Sequence, residues 1–247
     1  FLDRWSFTNI TGNLSVSLLQ GNVDQNTKWR PENRAQIFAD YIDLSKSELG
    51  RDLIVWPEAS LTFFKESIAS ELSVYGKSLD DKGTGLVLGI PSLTEDRYFQ
   101  NTLLGIGRAE GTYIKRQLVP FGEFVPMERH LRGIISFFDL PMSRNQPGPQ
   151  VQAPLSLKGQ PLSLSICYEI AYPHLVRSAA TQPMALVTIS NDTWFGDSIG
   201  PVQHLQIAQM RALENGRGLL RVTNNGITAA IDHAGEITDV LPRNQHC

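Results

Sequence analysis

Apolar and polar positions follow two different periods along the chain. Short runs with apolar side chains at every second position, or at every position, predict β-strands. These runs span Leu14–Leu19, Asp52–Trp56, Leu86–Ile90, Thr102–Ile106, Thr112–Ile114, Leu162–Cys167, Ala185–Ser190, Leu219–Thr223 and Thr228–Asp232. Longer stretches with apolar residues three or four positions apart predict helices over Glu32–Leu49, Phe63–Ser78 and Pro201–Asn215. Because the two kinds of element alternate, the pattern predicts an α/β fold.

Turn-forming residues divide the predicted elements. Gly111 predicts a turn just before Thr112–Ile114, and Asn224-Asn225-Gly226 predicts a turn between the last two strands. The stretch Pro120–Pro161 is rich in loop residues and contains the run Pro-Gly-Pro at 147–149. It separates two halves of similar design.

The composition narrows the class of protein. The chain has 247 residues, of which 41% are hydrophobic, enough for one large domain over residues 1–247. A net charge of -3 argues against a nucleic-acid partner. No run approaches the roughly 20 apolar residues that span a bilayer, and no signal peptide opens the chain. Its abrupt beginning and end suggest a piece of a longer protein.

Two cysteines and five scattered histidines give little basis for a disulfide framework or a metal site. Cys247 is the last residue, and Cys167 lies in an apolar stretch, where a small buried hydrophobic role is the simplest reading. We therefore expect no metal and no cofactor.

Three predicted strands each end in a reactive side chain. Glu58 follows Asp52–Trp56, Lys115 follows Thr112–Ile114, and Cys167 closes Leu162–Cys167. Residues at strand ends are held by the sheet and can still reach a cleft. A carboxylate, an ammonium and a thiol are the groups that covalent acyl transfer needs, and a nearby cation and base would raise the thiolate population. Spacing alone leaves ordinary surface roles for Glu58 and Lys115 open.

The sequences around these three residues carry a family resemblance. The blocks IVWPEAS, YIKRQLVPFGEFVP and SICYEIAYP resemble the three signature blocks of the nitrilase (carbon–nitrogen hydrolase) superfamily. GNVDQNTKW, ISNDTWFGDSIGPVQHLQIAQMRALENGR and LLRVTNNGITAAID resemble its apolipoprotein N-acyltransferase branch. The resemblance covers about residues 14–241 and implies an αββα sandwich.

The resemblance also implies roles for single residues. Glu58 matches the general base, Lys115 the group that stabilises the oxyanion, and Cys167 the nucleophile. Glu123, in PFGEFVP, matches a second essential glutamate that would hold the Lys115 ammonium. An ordinary loop carboxylate is the alternative for Glu123. The residues implied in substrate binding, or in lining the lipid entrance, are Trp29, Asn101, Tyr168, Glu169 and Trp194.

Other roles stay open for several of these residues. The Tyr168 backbone N–H is a natural oxyanion donor. Trp194 and Phe195 would wall the site but fit a core role nearly as well, and His204 fits helix packing or hydrogen bonding as well as substrate contact.

The implied activity is transfer of a fatty acyl chain from a phospholipid, most simply phosphatidylethanolamine, through a Cys167 thioester to the N-terminal amine of a diacylglyceryl-cysteine lipoprotein. The resemblance implies a parent protein with flanking membrane helices and a catalytic domain on the periplasmic face of the bacterial inner membrane. A membrane surface is thus an expected partner.

Two other functions compete with this one. A soluble amidase or nitrilase would use the same Glu–Lys–Cys triad, and a non-catalytic lipid- or partner-binding module would not use it at all. The run Gly196–Gly200 fits the G-x-S-x-G pattern of serine hydrolases, but no strand leads directly into it. Two apolar runs, Leu61–Phe64 and Arg132–Met142, fit a lipid-facing surface and core packing equally well.

Overall fold

The computed structural model describes residues 8, 10, 12–120, 122–124, 145–178 and 183–247. Within these ranges eleven strands are hydrogen-bonded in the order of the sequence. Their bounds are Val16–Leu18 (β1), Leu53–Val55 (β2), Gly85–Leu93 (β3), Phe99–Gly107 (β4), Ala109–Ile114 (β5), Ser156–Leu157 (β6), Gln160–Ile166 (β7), Ala185–Ser190 (β8), Leu219–Thr223 (β9), Ala229–Ile231 (β10) and Ile237–Val240 (β11). The α-helices there are Arg34–Lys46 (α1), Ala69–Asp81 (α2), Pro173–Ser178 (α3) and Gly200–Asn215 (α4).

The two halves of the sheet have the same pairing pattern. Strands β1, β2 and β3 pair in parallel, and β4 and β5 continue the sheet antiparallel. Strands β7, β8 and β9 are again parallel, followed by antiparallel β10 and β11. The two-residue strand β6 pairs with both β5 and β7, so it links the halves. Strand β2 is the middle one of the three parallel strands of the first half, and β7 is the first of the three parallel strands of the second half. Reactive residues were predicted after the carboxyl end of each.

Three apolar clusters show how the layers stack. Leu53 and Val55 of β2 pack with Leu164 and Ile166 of β7 in a core between the two halves of the sheet. Ile54, on the opposite face of β2, joins a second cluster with residues of α1 and α2. A third cluster joins α3 and α4 to the outer face of β8 and β9. This α–β–β–α order confirms the predicted sandwich. Successive side chains of a strand point to opposite faces, so an uninterrupted apolar run such as Leu53–Val55 contributes to the core on both sides of the sheet.

Most predicted strands and helices are present with shifted ends, and some predictions were wrong. Gly111 is not a turn: it lies within β5 at φ +114°, and the β4–β5 connection is at Arg108. Strand β7 ends at Ile166, and Cys167 begins a 3₁₀ helix, Cys167–Ala171. Three short elements, β6, β11 and α3, were not predicted.

The apolar run Leu61–Phe64 belongs to the protein interior. Leu61 is fully buried in the outer cluster of the first half, Phe63 packs against that cluster, and Phe64 stacks on Phe99. Core packing is therefore its role. The second run, Arg132–Met142, lies outside the described residues. Among the residues described, no helix combines the length and the hydrophobicity that crossing a bilayer requires.

Candidate active site

Glu58 lies three residues beyond the end of β2 and is almost completely buried. Its Oε1 accepts a 2.6 Å hydrogen bond from Asn101 Nδ2, and its Oε2 accepts a 2.8 Å bond from the Asn191 backbone N–H. The turn that carries it is packed against β3. A Cβ on Gly89 would lie 2.5 Å from the Pro57 carbonyl oxygen and 2.8 Å from Glu58 Cα, so only glycine fits there. The carboxylate is thus fixed from both halves of the sheet.

Lys115 follows the last residue of β5, and its side chain is fully buried. Its backbone N–H donates to the Asn101 carbonyl oxygen at 2.8 Å. Its ammonium Nζ lies 2.7 Å from Glu123 Oε1 and 3.7 Å from Glu58 Oε1. Asn101 therefore holds both the carboxylate and the lysine backbone in place.

Glu123 uses its two oxygens differently. Oε1 accepts from the Lys115 ammonium, and Oε2 accepts a 2.8 Å bond from the Val119 N–H. The loop after β5 is thereby folded back onto its own lysine. This arrangement agrees with the expected function of Glu123, which is to hold the ammonium, and differs from that of an unattached loop carboxylate.

Cys167 is partly buried beside these charged groups at the junction between β7 and the 3₁₀ helix. Its backbone has φ +54°, a conformation that costs of order 1–3 kcal/mol for a residue with a side chain. The Ser190 side chain at the end of β8 lowers the pKa of the thiol. The packing around the site must hold Cys167 in this strained conformation.

The charges of the cluster act on one another. Burial and the negative charge of Glu58 raise the pKa of the Cys167 thiol to about 12, against the opposing effect of the Lys115 ammonium. Burial alone would lower the pKa of Lys115, but Glu58, Cys167 and Glu123 together raise it. The ammonium thus stays charged at neutral pH and the thiol stays protonated. The Lys115 ammonium thus favours the thiolate, as expected of a neighbouring cation, but burial and Glu58 outweigh it.

Glu169 is completely buried, and both of its oxygens accept hydrogen bonds. Oε1 accepts from the backbone N–H groups of Arg116 and Gln117, at 2.7 and 3.0 Å. Oε2 accepts from Ile166 N–H at 2.8 Å and from the Tyr113 hydroxyl at 2.9 Å. These contacts tie the residues after Lys115 to the residue before Cys167. In this arrangement Glu169 faces the protein rather than a substrate.

Asn101 also differs from the role implied for it. Its side chain donates to Glu58, so it positions a reactive group instead of lining an entrance. The three predicted aromatic residues do reach the surface: the exposed fractions are 37% for Trp29, 43% for Tyr168 and 69% for Trp194. Each is one or two residues from a buried residue of the site. All three therefore present aromatic surface to solvent close in sequence to residues of the site.

Several residues that contribute to the site were not predicted. Lys28 is 1% exposed and has no hydrogen bond or ion pair at its ammonium within the described part of the chain. Burial lowers its pKa to about 8, and the charge of Glu58 opposes that shift. Asn191, Asp192 and Arg221 are buried with it around the site. The motif GNVDQNTKW contains Lys28, but nothing in the sequence distinguishes it from a surface lysine.

The surroundings of Ser198 do not form the strand–turn–helix arrangement of a serine hydrolase. Ser198 is exposed in the connection between a 3₁₀ helix, Asp192–Phe195, and α4, and its hydroxyl accepts from Gly200 N–H. His204 is buried on α4 and hydrogen-bonded to Asp192 and to the Cys167 carbonyl oxygen, so it has the hydrogen-bonding role. The described ranges contain no group of three or more histidine, cysteine or acidic residues arranged to hold a metal ion.

Comparison with known proteins gives one consistent family. The carbon-nitrogen hydrolase family model matches residues 15–246. An apolipoprotein N-acyltransferase from Pseudomonas syringae pv. tomato is 48% identical over 235 residues, which are 93% of this chain and 46% of that protein. The apolipoprotein N-acyltransferase of Vibrio vulnificus is 42% identical over 238 residues, with 92% and 47% covered. The chain spans about half the length of these curated relatives.

Solved structures support the same fold. A carbon-nitrogen hydrolase from Helicobacter pylori superposes with a TM-score of 0.70 at 13% identity, covering 94% of this chain and 86% of that one. A CN-hydrolase superfamily protein from Xanthomonas campestris gives a TM-score of 0.68 at 19% identity, covering 96% and 89%. At these identities the similarity concerns the fold.

Proposed function

Since the chain belongs to the carbon-nitrogen hydrolase family, we propose that it is the catalytic domain of an apolipoprotein N-acyltransferase. Its reaction transfers a fatty acyl chain from a phospholipid, through a thioester on Cys167, to the N-terminal amine of a diacylglyceryl-cysteine lipoprotein. The observation that carries the proposal is the buried cluster in which the Lys115 ammonium lies between Glu58 and Glu123 beside the Cys167 thiol. Identities of 42–48% to proteins of that name favour this branch of the family.

In the first step the protonated thiol needs a base. Glu58 takes the thiol proton as the sulfur attacks the carbonyl carbon of the phospholipid ester. The Lys115 ammonium and backbone N–H groups, among them that of Tyr168, stabilise the oxyanion. When the carbon–oxygen bond breaks, Glu58 returns the proton to the glycerol oxygen, and a lysophospholipid leaves.

In the second step the lipoprotein amine replaces the sulfur. Glu58 takes a proton from the amine, a carbon–nitrogen bond forms, and the carbon–sulfur bond breaks. The proton returns to sulfur, which restores the resting thiol. A thioester reacts readily with amines, and the amide product is more stable than the phospholipid ester or the thioester. The two reaction steps therefore need no ATP or metal.

Water competes with the amine for the thioester, so the site must keep it out. Buried Glu58 and Lys115 lie in an interior that already excludes solvent. The exposed aromatic residues Trp29, Tyr168 and Trp194 supply apolar surface close in sequence to buried residues of the site. This arrangement suits an acyl chain delivered from a membrane, and we place the domain at the periplasmic face of the bacterial inner membrane.

A product assay tests the proposal. The chain is incubated with micelles of phosphatidylethanolamine that carries a labelled acyl chain, with and without a synthetic diacylglyceryl-cysteine peptide. We expect lysophosphatidylethanolamine in both samples, and labelled N-acyl peptide only where the acceptor is present. Cys167→Ala should form neither product.

Other results would identify other functions. Release of labelled fatty acid at the same rate with and without the acceptor would indicate a hydrolase. Hydrolysis of short amides without any reaction on lipid would indicate a soluble amidase. Lipid binding without turnover, equal in the native protein and in Cys167→Ala, would indicate a binding module.

A further inference from the structure

A second polar network lies behind the nucleophile, and the proposed acyl transfer makes no use of it. Its centre is Asp192, whose side chain is completely buried. Asp192 Oδ1 accepts from the Ser190 hydroxyl at 2.6 Å and pairs with His204 Nδ1 at 3.1 Å, while Oδ2 accepts from Arg221 Nη2 at 2.7 Å. Arg221 is also completely buried. The ion pair between Asp192 and Arg221 offsets part of the cost of burying both charges. Among the described residues Arg221 Nη1 has no hydrogen-bond partner.

The turn after β9 is shaped around this network. A Cβ on Gly226 would lie 2.4 Å from Asp192 Oδ2, so a side chain there would displace the carboxylate. Arg221 Nε donates to the Ile227 carbonyl oxygen at 3.2 Å, just beyond that glycine. In the Asn224-Asn225-Gly226 motif, the glycine therefore does more than form the turn, because its missing side chain leaves space for the Asp192 carboxylate.

His204 connects the network to Cys167. Its Nδ1 faces the Asp192 carboxylate, and its Nε2 lies 3.2 Å from the Cys167 carbonyl oxygen. Burial raises the pKa of Asp192, but hydrogen bonding with His204 and the charge of Arg221 lower it to about 2, so the carboxylate is ionised. Both partners of the ring are then acceptors only. Either neutral tautomer would place a nitrogen lone pair against an oxygen, whereas the imidazolium satisfies both contacts.

The Cys167 carbonyl belongs to the peptide group that joins Cys167 to Tyr168. A cationic donor on that carbonyl withdraws electrons from the peptide group and makes the Tyr168 N–H a stronger donor. Tyr168 is the second residue of its 3₁₀ helix, where the first N–H groups have no partner within the helix. The same bond restrains the backbone of Cys167 in its strained conformation at φ +54°.

We propose that protonated His204, anchored by Asp192 and Arg221, is a positioning residue that orients and polarises the Cys167–Tyr168 peptide group for acyl transfer. The inference rests on the proposed function, since it concerns the nucleophile and the oxyanion donor which that function requires. His204 acts through the peptide group, so its loss should slow the chemistry and leave lipid binding unchanged.

The central test compares His204→Gln with the native chain in single-turnover acylation of Cys167 by phosphatidylethanolamine micelles. We expect the acylation rate constant to fall about 10-fold to 100-fold, less than the roughly 10²–10³-fold cost of removing an oxyanion donor outright. The apparent affinity for lipid should not change. Gln209→Leu is the matched control, because it removes a side-chain bond from the same helix to a different carbonyl, that of Gly235.

Nitrogen-15 NMR of histidine-labelled native chain tests the protonation directly, and His204→Gln identifies the signal. Protons on both ring nitrogens at pH 7 are expected. A neutral His204 ring would overturn the proposal, as would an unchanged acylation rate in folded His204→Gln. If His204→Gln does not fold, the signals of the other four histidines are assigned through single variants. The remaining signal then belongs to His204 and shows whether both of its ring nitrogens carry protons.

A third measurement separates this proposal from the proposed function. If the native chain takes no acyl group from lipid, the proposed function fails, and alkylation of Cys167 by iodoacetamide still reports on the network. The midpoint of its pH profile, set otherwise by Glu58, Lys115 and Glu123, should move to higher pH in His204→Gln because a cation near the thiol is lost. An unchanged midpoint would overturn the proposal.

Discussion

The residues of the candidate site form a charge cluster whose members change one another's chemistry. Lys115 stays protonated because the carboxylates of Glu58 and Glu123 lie beside it, and Cys167 stays protonated because burial and the charge of Glu58 raise its pKa. In the proposed mechanism the thiol therefore reacts only when Glu58 accepts its proton. A permanent thiolate would react with other electrophiles, so a protonated resting thiol protects the cysteine from unwanted modification.

Neutralising Glu58 should separate thiol reactivity from catalysis. Glu58→Gln removes the negative charge that raises the pKa of Cys167, so alkylation by iodoacetamide at pH 8–9 should become faster. Acyl transfer should be lost in the same variant because the base is gone. Alkylation is followed by intact mass in a Cys247→Ser background, with Glu66→Gln as a surface control. Slower alkylation of Glu58→Gln would contradict the charge arrangement.

The buried ammonium of Lys28 should lower the free energy of unfolding at neutral pH. A pKa moved from its ordinary value of 10.5 to about 8 corresponds to about 3 kcal/mol at neutral pH. The folded state binds fewer protons than the unfolded state between those two values. The cost is therefore full below about pH 8 and disappears as pH rises toward 10.5. Lys28→Met should raise the free energy of unfolding at pH 7 by up to that amount, and the gain should fade above pH 8.

Urea unfolding at pH 7 and at pH 10 measures this effect, with exposed Lys82→Met as the matched control. A Lys28→Met protein that is less stable than the native chain at pH 7 would show that the ammonium is well paired. The same variant should also lose activity, because a buried cation kept at such a cost is expected to serve function.

Among the secondary-structure elements, the central strands bring the reactive residues together. Glu58 and Cys167 follow the carboxyl ends of two parallel strands, β2 and β7, and Lys115 follows β5. Asn101 of β4 and Asn191 after β8 then bind the two oxygens of Glu58. The site is thus assembled from both halves of the sheet.

Gly89 tests whether the register of β3 sets the position of Glu58. Gly89→Ala places a Cβ within 2.8 Å of three backbone atoms of the turn Pro57–Ala59, so the turn must move. Overpacking of this kind costs about 1–3 kcal/mol, and a shift of about 1 Å can cost about 10²-fold in rate. We expect a folded, less stable protein with strongly reduced acylation. Gly218→Ala is the control, since its Cβ makes only an ordinary 3.6 Å contact; equal activity in both would refute the argument.

Sequence periodicity predicted the central strands because alternating apolar residues must fill the core between the two halves. It could not locate β6, which has two residues, or β11, whose four residues are all exposed. It placed Gly111 in a turn because a glycine in a turn and a glycine with positive φ inside a strand cannot be distinguished from the sequence. The motifs identified Glu58, Lys115 and Cys167, but periodicity does not reveal that Asn101 and Glu169 face inward, since only tertiary contacts determine their partners.

At the scale of the whole molecule, three exposed aromatic residues lie next to buried residues of the site in the sequence. Trp29 follows Lys28, Tyr168 follows Cys167, and Trp194 lies two residues after Asp192. All three are at least one third exposed, although large apolar side chains normally avoid water. Under the proposed function, these side chains would contact the lipid that supplies the acyl chain.

Removing the most exposed aromatic residue should weaken contact with lipid without affecting the fold. Trp194→Ser should lower binding to phosphatidylethanolamine vesicles in a co-sedimentation assay and leave the melting temperature within a few degrees of the native value. Val74→Ser on α2 is matched in exposure, at 70% against 69%, and should change neither property. Equal vesicle binding by the native chain and Trp194→Ser would argue against contact between Trp194 and lipid. For the apolar run Arg132–Met142, the sequence predicts that replacing Phe137 and Phe138 with serine weakens lipid binding and leaves the fold intact; both residues lie outside the described ranges.

The most direct test of the central claim is the mass of the protein after incubation with phosphatidylethanolamine of defined acyl chains and no acceptor. The account predicts an increase equal to one acyl group, located on the peptide that contains Cys167 and removed by neutral hydroxylamine, as expected for a thioester. The adduct should be absent from Cys167→Ala and disappear when a diacylglyceryl-cysteine peptide is added. An unmodified Cys167, or an acyl group on Cys247 or Ser198 instead, would contradict it.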